Sequence, residues 1–228
     1  MKVIFKITAM ALITFTIACK PTQKITYNID KYQPVSESVN VSLSVQTFQD
    51  VRQEFPDNLL FLQTKGVVAT VDQNKSCINA ESLYKIPVGQ QMAEIFGKYL
   101  GKRAYFTNVL VNNKEQADYY LTAKVKQFTG HQKYSNKAAV GSQFGLIGAL
   151  ATMSLKTEGK IIIELSDICL YDKNDNLVAT IGDFKKEFEG DFPVNATCYC
   201  IYSNVNLSLA EFNEELGSVL FREIKKMR

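Results

Sequence analysis

The sequence predicts an α+β domain: a mixed, mainly antiparallel sheet of about five to six strands with two amphipathic helices packed on it. Three observations lead there. Val39, Val41, Leu43 and Val45 alternate with Asn40, Ser42, Ser44 and Gln46, the period-two pattern of a strand with one buried face, and similar stretches recur later. Two other stretches carry apolar residues at three- and four-residue spacing, the helical period. The two kinds of segment come in mixed order, which a two-layer domain accommodates. A chain of 228 residues that is 46% hydrophobic and 21% charged is no collagen, coiled coil or disordered polymer. Its formal charge of +3, spread evenly, leaves no footprint for nucleic acid. One His and no Trp thin the options for catalysis and metal binding, and five Cys, an odd number, demand an explanation.

The amino terminus supplies it. Lys2 and Lys6 precede the mainly apolar run from Ile7 to Ala18, which ends at Cys19-Lys20-Pro21. That run is shorter than the ~20 residues a spanning helix needs and reads as a secretory signal peptide. With small residues Thr16 and Ala18 ahead of Cys19, it resembles the bacterial lipoprotein signal, although Thr16 stands where that family usually has Leu. The alternative is an ordinary signal peptide with a coincidental Cys. The resemblance implies cleavage before Cys19 and acylation of that residue with diacylglycerol and palmitate-type chains. It divides the chain into a signal peptide at 1–18, a lipidated tether at 19–38 and one α+β domain at 39–228. Loss of Lys2 and Lys6 brings the mature chain close to neutral. Lys20, in place of the Asp that retains many lipoproteins at an inner membrane, implies an outer-membrane anchor facing the periplasm.

Along the domain, residues 53–63 are ambiguous and a second strand is predicted at 67–71. Pro87–Leu100 predicts a helix, with Val88, Met92, Ile95, Phe96, Tyr99 and Leu100 on one face and Gly101 as its stop. Strands are predicted at 104–111 and 119–128. Two longer ones follow at 159–171 and 177–188, joined by Asp172-Lys173-Asn174-Asp175-Asn176, a hairpin signal. Ser208 and Glu211 form a candidate capping box for a closing helix with Leu209, Phe212, Leu216, Val219, Leu220 and Phe221 buried.

The order of these elements, with Val45-Gln46-Thr47-Phe48-Gln49-Asp50-Val51-Arg52 ending the first strand, Phe96-Gly97-Lys98-Tyr99-Leu100-Gly101 in the helix, Phe106-Thr107-Asn108-Val109, and Gln116-Ala117-Asp118-Tyr119-Tyr120-Leu121 leading into the long strands, resembles a group of envelope proteins. That group comprises the TolB amino-terminal domain, the curli secretion lipoprotein and the auxiliary lipoproteins of ABC transporters. The resemblance covers residues 41–189 and implies a shared fold and cellular context; fold alone does not imply an activity.

No catalytic triad, phosphate-binding loop, metal cluster or paired-carboxylate motif is present in the sequence, so no catalytic residue, metal or cofactor is expected. Asp50 and Arg52 at a strand end could serve as a recognition site, but are read as a solvated turn or an ion pair, and Asp118 as a cap on a strand entrance. With Cys19 acylated, Cys77, Cys169, Cys198 and Cys200 remain, an even number that permits one or two disulfides in an exported protein. The most unusual stretch is Ala138–Leu155, eighteen residues without a charge between Lys137 and Lys156. It is either core or a surface for a partner or membrane, with Gly141, Phe144, Gly145, Leu146, Ile147, Gly148 and Leu150 as candidate contacts. Gly141 and Gly145 have the four-residue spacing of close helix packing.

The sequence thus predicts a non-enzymatic, lipid-anchored envelope protein acting as an accessory or binding subunit in transport or assembly. Its partners would be the membrane, through the anchor, and a protein or further copies of itself. The alternatives are a multimeric secretion-pore subunit of the curli-channel type and an activator of a cell-wall synthase.

Overall fold

A computed structural model describes residues 23–52, 70–71, 76–80, 83–152, 154–194 and 198–227. The signal peptide, Cys19 and the ambiguous stretch 53–63 lie outside the described residues, as does most of the strand predicted at 67–71. Among the described residues there are eight strands, β1 (Val39–Val45), β2 (Gln49–Asp50), β3 (Thr70–Val71), β4 (Ser76–Ile78), β5 (Phe106–Val111), β6 (Tyr119–Lys133), β7 (Lys156–Asp172) and β8 (Leu177–Pro193). Four α-helices accompany them, α1 (Val88–Arg103), α2 (Asn136–Ser142), α3 (Gly145–Thr152) and α4 (Cys200–Lys226).

All eight strands belong to one mixed sheet. β1 pairs in parallel with β5 on one side and β6 on the other, where a mainly antiparallel sheet of five or six strands is predicted. The parallel pairing follows from connectivity: α1 carries the chain back across the sheet between β1 and β5, so the two strands must point the same way. β6 is the spine. One edge meets β1 over Tyr119–Leu121, β2 at Lys124–Val125 and β4 at His131–Lys133, while the other is antiparallel to β7 from Tyr119 to Gln132. The outer hairpin β7–β8 is antiparallel throughout. Its turn is held by Asp172, whose Oδ1 accepts the backbone N–H groups of Asn174 at 2.8 Å and Asn176 at 3.0 Å.

α1 buries the predicted face, Val88, Met92, Ile95, Phe96, Tyr99 and Leu100. Gly97 permits its approach to the sheet, since a Cβ there would lie 2.7 Å from a Val111 methyl. The helix does not stop at Gly101. It continues to Arg103 and ends where Ala104 turns left-handed, φ 52°, its N–H bonding the Gly101 carbonyl. Lys102 and Arg103 fill the last turn, where cations suit the helix dipole.

α4 also departs from expectation. It begins at Cys200, two turns before the predicted Ser208–Glu211 capping box, and Ser208 is a buried residue of its interior. Its buried stripe includes polar side chains satisfied from other elements. Asn204 Nδ2 donates to Gln132 Oε1 and to the Pro193 carbonyl, each at 3.1 Å, and Asn213 Nδ2 donates to the Tyr27 hydroxyl at 2.8 Å. Polar residues paid for by tertiary hydrogen bonds look, in sequence, like a break in the apolar stripe. The same stripe of α4 meets β8, where Phe184 stands edge-on to Phe212 with ring centres 5.0 Å apart.

The segment predicted as a tether is part of this body from Gln23 onward. Ile25 and Tyr32 are buried, with Tyr27, Ile29 and Val35 packed beside them. Ile25 N–H donates to Gln91 Oε1 at 2.8 Å, and the Tyr32 ring stands edge-on to Tyr99 at 5.0 Å. The apolar residues are spaced irregularly, so neither a helical nor a strand period announces them.

Candidate functional site

The uncharged stretch forms a helical hairpin inserted between β6 and β7. β6 leaves the sheet after Lys133, and Ser135 starts α2 by accepting the Ala138 N–H on its hydroxyl at 3.2 Å. The chain turns at Gln143 and Phe144, whose N–H groups bond the Val140 and Gly141 carbonyls at 3.0 Å each. α3 then runs back to Thr152. Leu155 returns the chain to the sheet, its carbonyl accepting the Val194 N–H at 3.1 Å.

Two glycines hold the helices together. A Cβ on Gly148 would fall on the Gly141 carbonyl oxygen, and one on Gly141 would strike the Thr152 methyl. Only a residue without a side chain permits this approach. The apolar side chains therefore turn outward: Val140 is 53% exposed, Phe144 72%, Ile147 81% and Leu150 59%. Ala138, at the root of α2, is buried. Four large apolar side chains grouped on one projection form the kind of patch that marks a contact surface.

The candidate residues thus divide by role. Phe144, Ile147 and Leu150 face outward; Gly141 and Gly148 pack helix against helix; Gly145 and Leu146 open α3, and only their backbone is described. Val140 belongs with the first set and was not predicted, although it stands four residues before Phe144 and so continues the helical spacing. The segment is helical.

At the root of the hairpin, Lys133 on β6 pairs with Glu158 on β7. The hydrogen bond from Lys133 holds the Glu158 carboxyl below the usual carboxylate range. Lys137 and Lys156, at the two ends of the uncharged stretch, are exposed.

Of the cysteines, Cys77 on β4 and Cys198 just before α4 form a disulfide across 121 residues of sequence, with Cα atoms 5.4 Å apart. The other two do not bridge. Cys169 lies within β7 opposite Thr122 and Thr180, and Cys200 places its Sγ 4.0 Å from Gln132 Oε1. Cys198 and Cys200 are only two residues apart, but Cys198 adopts φ 58° ahead of the helix and faces β4, whereas Cys200 is already helical.

Asp50 and Arg52 form the expected ion pair, with Arg52 Nε and Nη2 donating to the two carboxylate oxygens at 2.8 and 2.5 Å. Asp118 ties the start of β6 to β1: its Oδ2 accepts both the backbone N–H and the hydroxyl of Ser42, at 2.7 and 2.9 Å. His131 sits mid-ladder between Ile78 and Lys160. Among the described residues no group of three or more His, Cys, Asp or Glu is placed to hold a metal.

No protein-family model matches the chain, and no curated protein matches it. Solved structures do. A Xanthomonas campestris protein of the DUF330 family is 11% identical with a TM-score of 0.49, over 87% of this chain and 95% of its own. PelC of Paraburkholderia phytofirmans, a dodecamer, is 13% identical with a TM-score of 0.36, over 82% and 93%. A putative neuraminyllactose-binding hemagglutinin homolog of Helicobacter pylori is 8% identical with a TM-score of 0.36, over 91% and 100%. Likeness at this level assigns neither a family nor an activity.

Proposed function

We propose that this chain is a lipid-anchored, periplasm-facing protein of the outer membrane, akin to the TolB amino-terminal-like and ABC-transport auxiliary lipoproteins, and that it works without catalysis as an accessory or binding subunit in transport or assembly. The observation that carries the reading is the hairpin: Val140, Phe144, Ile147 and Leu150 are exposed on a glycine-packed helical projection. A protein that binds through a surface needs such a patch, not a cleft with reactive groups. The Cys77–Cys198 disulfide supports an oxidising compartment, in keeping with the leader that ends at Cys19. An anchor adds to any contact made by the hairpin by confining it near its target.

The reading is tested in cells in two parts. Labelled palmitate enters the wild-type chain and is lost, together with membrane retention, in Cys19→Ala; unchanged retention in that variant overturns the anchor. A photo-crosslinker at Ile147 gives an adduct, to protein or to lipid, that one at Leu177, on the β7–β8 turn, does not; identical patterns from both positions overturn the hairpin as the contact.

A further inference from the structure

The first described residue is pinned. Gln23 donates its N–H to the Leu83 carbonyl at 2.7 Å and accepts the Lys85 N–H at 3.1 Å. Tyr84, between those two partners, places its ring 6.0 Å from Phe128 on β6 and 5.6 Å from Tyr202 at the start of α4. Phe128 lies in the second half of β6, the strand that passes β4 at His131–Lys133 and leads to α2 at Asn136. The disulfide clamps the same region, joining β4 to Cys198. The start of the described chain and the root of the apolar hairpin therefore share one end of the sheet. The Asp172–Asn176 turn is at the other, beside Tyr119.

Four peptide links separate Cys19 from Gln23, and a fully extended chain of that length reaches no more than ~14 Å. Acyl chains on Cys19 would hold the hairpin end of the domain, and not the turn end, against the bilayer. The segment after Gln23 offers no slack, because Ile25, Tyr27, Ile29, Tyr32 and Val35 pack onto the core.

We propose that the α2–α3 hairpin is a second membrane contact, its tip entering the interfacial layer of the same phospholipid leaflet that holds the acyl chains on Cys19. The inference rests on the lipid-anchor reading above and names the partner of the hairpin: lipid, not a protein and not a second copy. The dimensions fit. α3 has eight residues, about 12 Å at 1.5 Å per residue, too short to cross a bilayer but suited to the ~5–10 Å depth of an interfacial helix. Among the described residues no helix is long and apolar enough to cross a membrane. The hairpin's helical hydrogen bonds satisfy most of its backbone internally, as an apolar layer requires. Lys137 and Lys156 flank the apolar stretch, at the height where phosphates would lie.

The chain contains no Trp, so one introduced residue reports alone. Full-length acylated Phe144→Trp and Leu177→Trp are reconstituted into vesicles of phosphatidylethanolamine and phosphatidylglycerol, with and without brominated acyl chains; both sites are exposed and accept the ring. The expected result is blue-shifted emission and loss of intensity with brominated lipid for Phe144→Trp, and neither for Leu177→Trp. Adding Ile147→Asp and Leu150→Asp to Phe144→Trp restores the aqueous spectrum. Emission from Phe144→Trp that brominated lipid does not quench overturns the inference, whether it stays aqueous or is shifted by burial against protein. Vesicle flotation and palmitate labelling of the same samples report the anchor separately. Acylated, floating protein with an unquenched tip defeats the hairpin contact alone, whereas absence of acylation defeats the anchor and with it the shared-end argument.

Discussion

Gly148 of α3 lies against the carbonyl oxygen of Gly141 of α2 so closely that no side chain fits between them. This contact sets the hairpin's shape, and the shape sets which residues face outward. Gly148→Leu is expected to separate the helices without unfolding the domain, because the body is built on β1, β6 and the two long helices. Hydrogen exchange reads both effects: amides of 138–152 exchange faster than in the wild type, while those of β1 keep their protection. Unchanged exchange across 138–152 would show that the glycine contact does not hold the hairpin.

Ile147 and Phe96 give opposite responses to truncation or charge. Ile147 is 81% exposed and Phe96 is buried between α1 and the sheet. Ile147→Asp is expected to change stability by no more than about 0.5 kcal/mol. Phe96→Ala should cost about 3–5 kcal/mol through lost burial and a cavity. Urea unfolding of the two variants provides the comparison, and a large loss in Ile147→Asp would place the hairpin in the core.

The Cys77–Cys198 bridge closes a loop of 121 residues, and its removal is expected to matter in proportion. Replacing both residues by Ala should lower stability by about 2–5 kcal/mol, mainly by releasing the unfolded chain. Chemical denaturation with and without reductant checks it: reductant lowers the wild-type midpoint and leaves that of the double variant in place. Non-reducing mass mapping should recover Cys77 linked to Cys198 and no linkage at Cys169.

Glu187 on β8 sits between two cations. Lys160 donates to one carboxylate oxygen and Lys185 to the other, each at 2.6 Å. Those hydrogen bonds, that of Lys160 first, pull the Glu187 carboxyl down to about 2 from an ordinary 4.5. A depressed carboxylate stabilises the fold fully above its ordinary value and loses that contribution as pH falls toward the folded value. The β7–β8 ladder should therefore weaken between about pH 4.5 and 2. Carboxyl NMR should show Glu187 titrating near the lower figure, with Lys160→Met raising the midpoint. An ordinary midpoint in the wild type would refute the pairing.

Where the local pattern was strong, sequence and structure agree. β1 and the buried face of α1 emerge as predicted, because alternation and helical spacing report one-sided burial directly. The departures share a cause. Asn204 and Asn213 interrupt the apolar stripe of α4 because their partners, Gln132, Pro193 and Tyr27, lie in other elements. The helix passes Gly101 because a helical end is decided by capping geometry at Ala104, not by the presence of a glycine alone.

The same division holds for the candidate site. Composition by itself determined that residues 138–155 lack charge, that Cys19 follows an apolar leader and that four further cysteines could pair. It could not determine whether the uncharged stretch is core or surface, since apolar residues at helical spacing serve either purpose. Tertiary structure decided this by setting Gly141 against Gly148 and leaving Phe144 and Ile147 exposed, with no other element among the described residues to cover them. It also selected Cys77 and Cys198 as the bridged pair, because β4 and the start of α4 meet only when the sheet and its covering helix have formed. Burial and disulfide pairing are properties of what lies nearby in space, and a linear sequence records only what lies nearby along the chain.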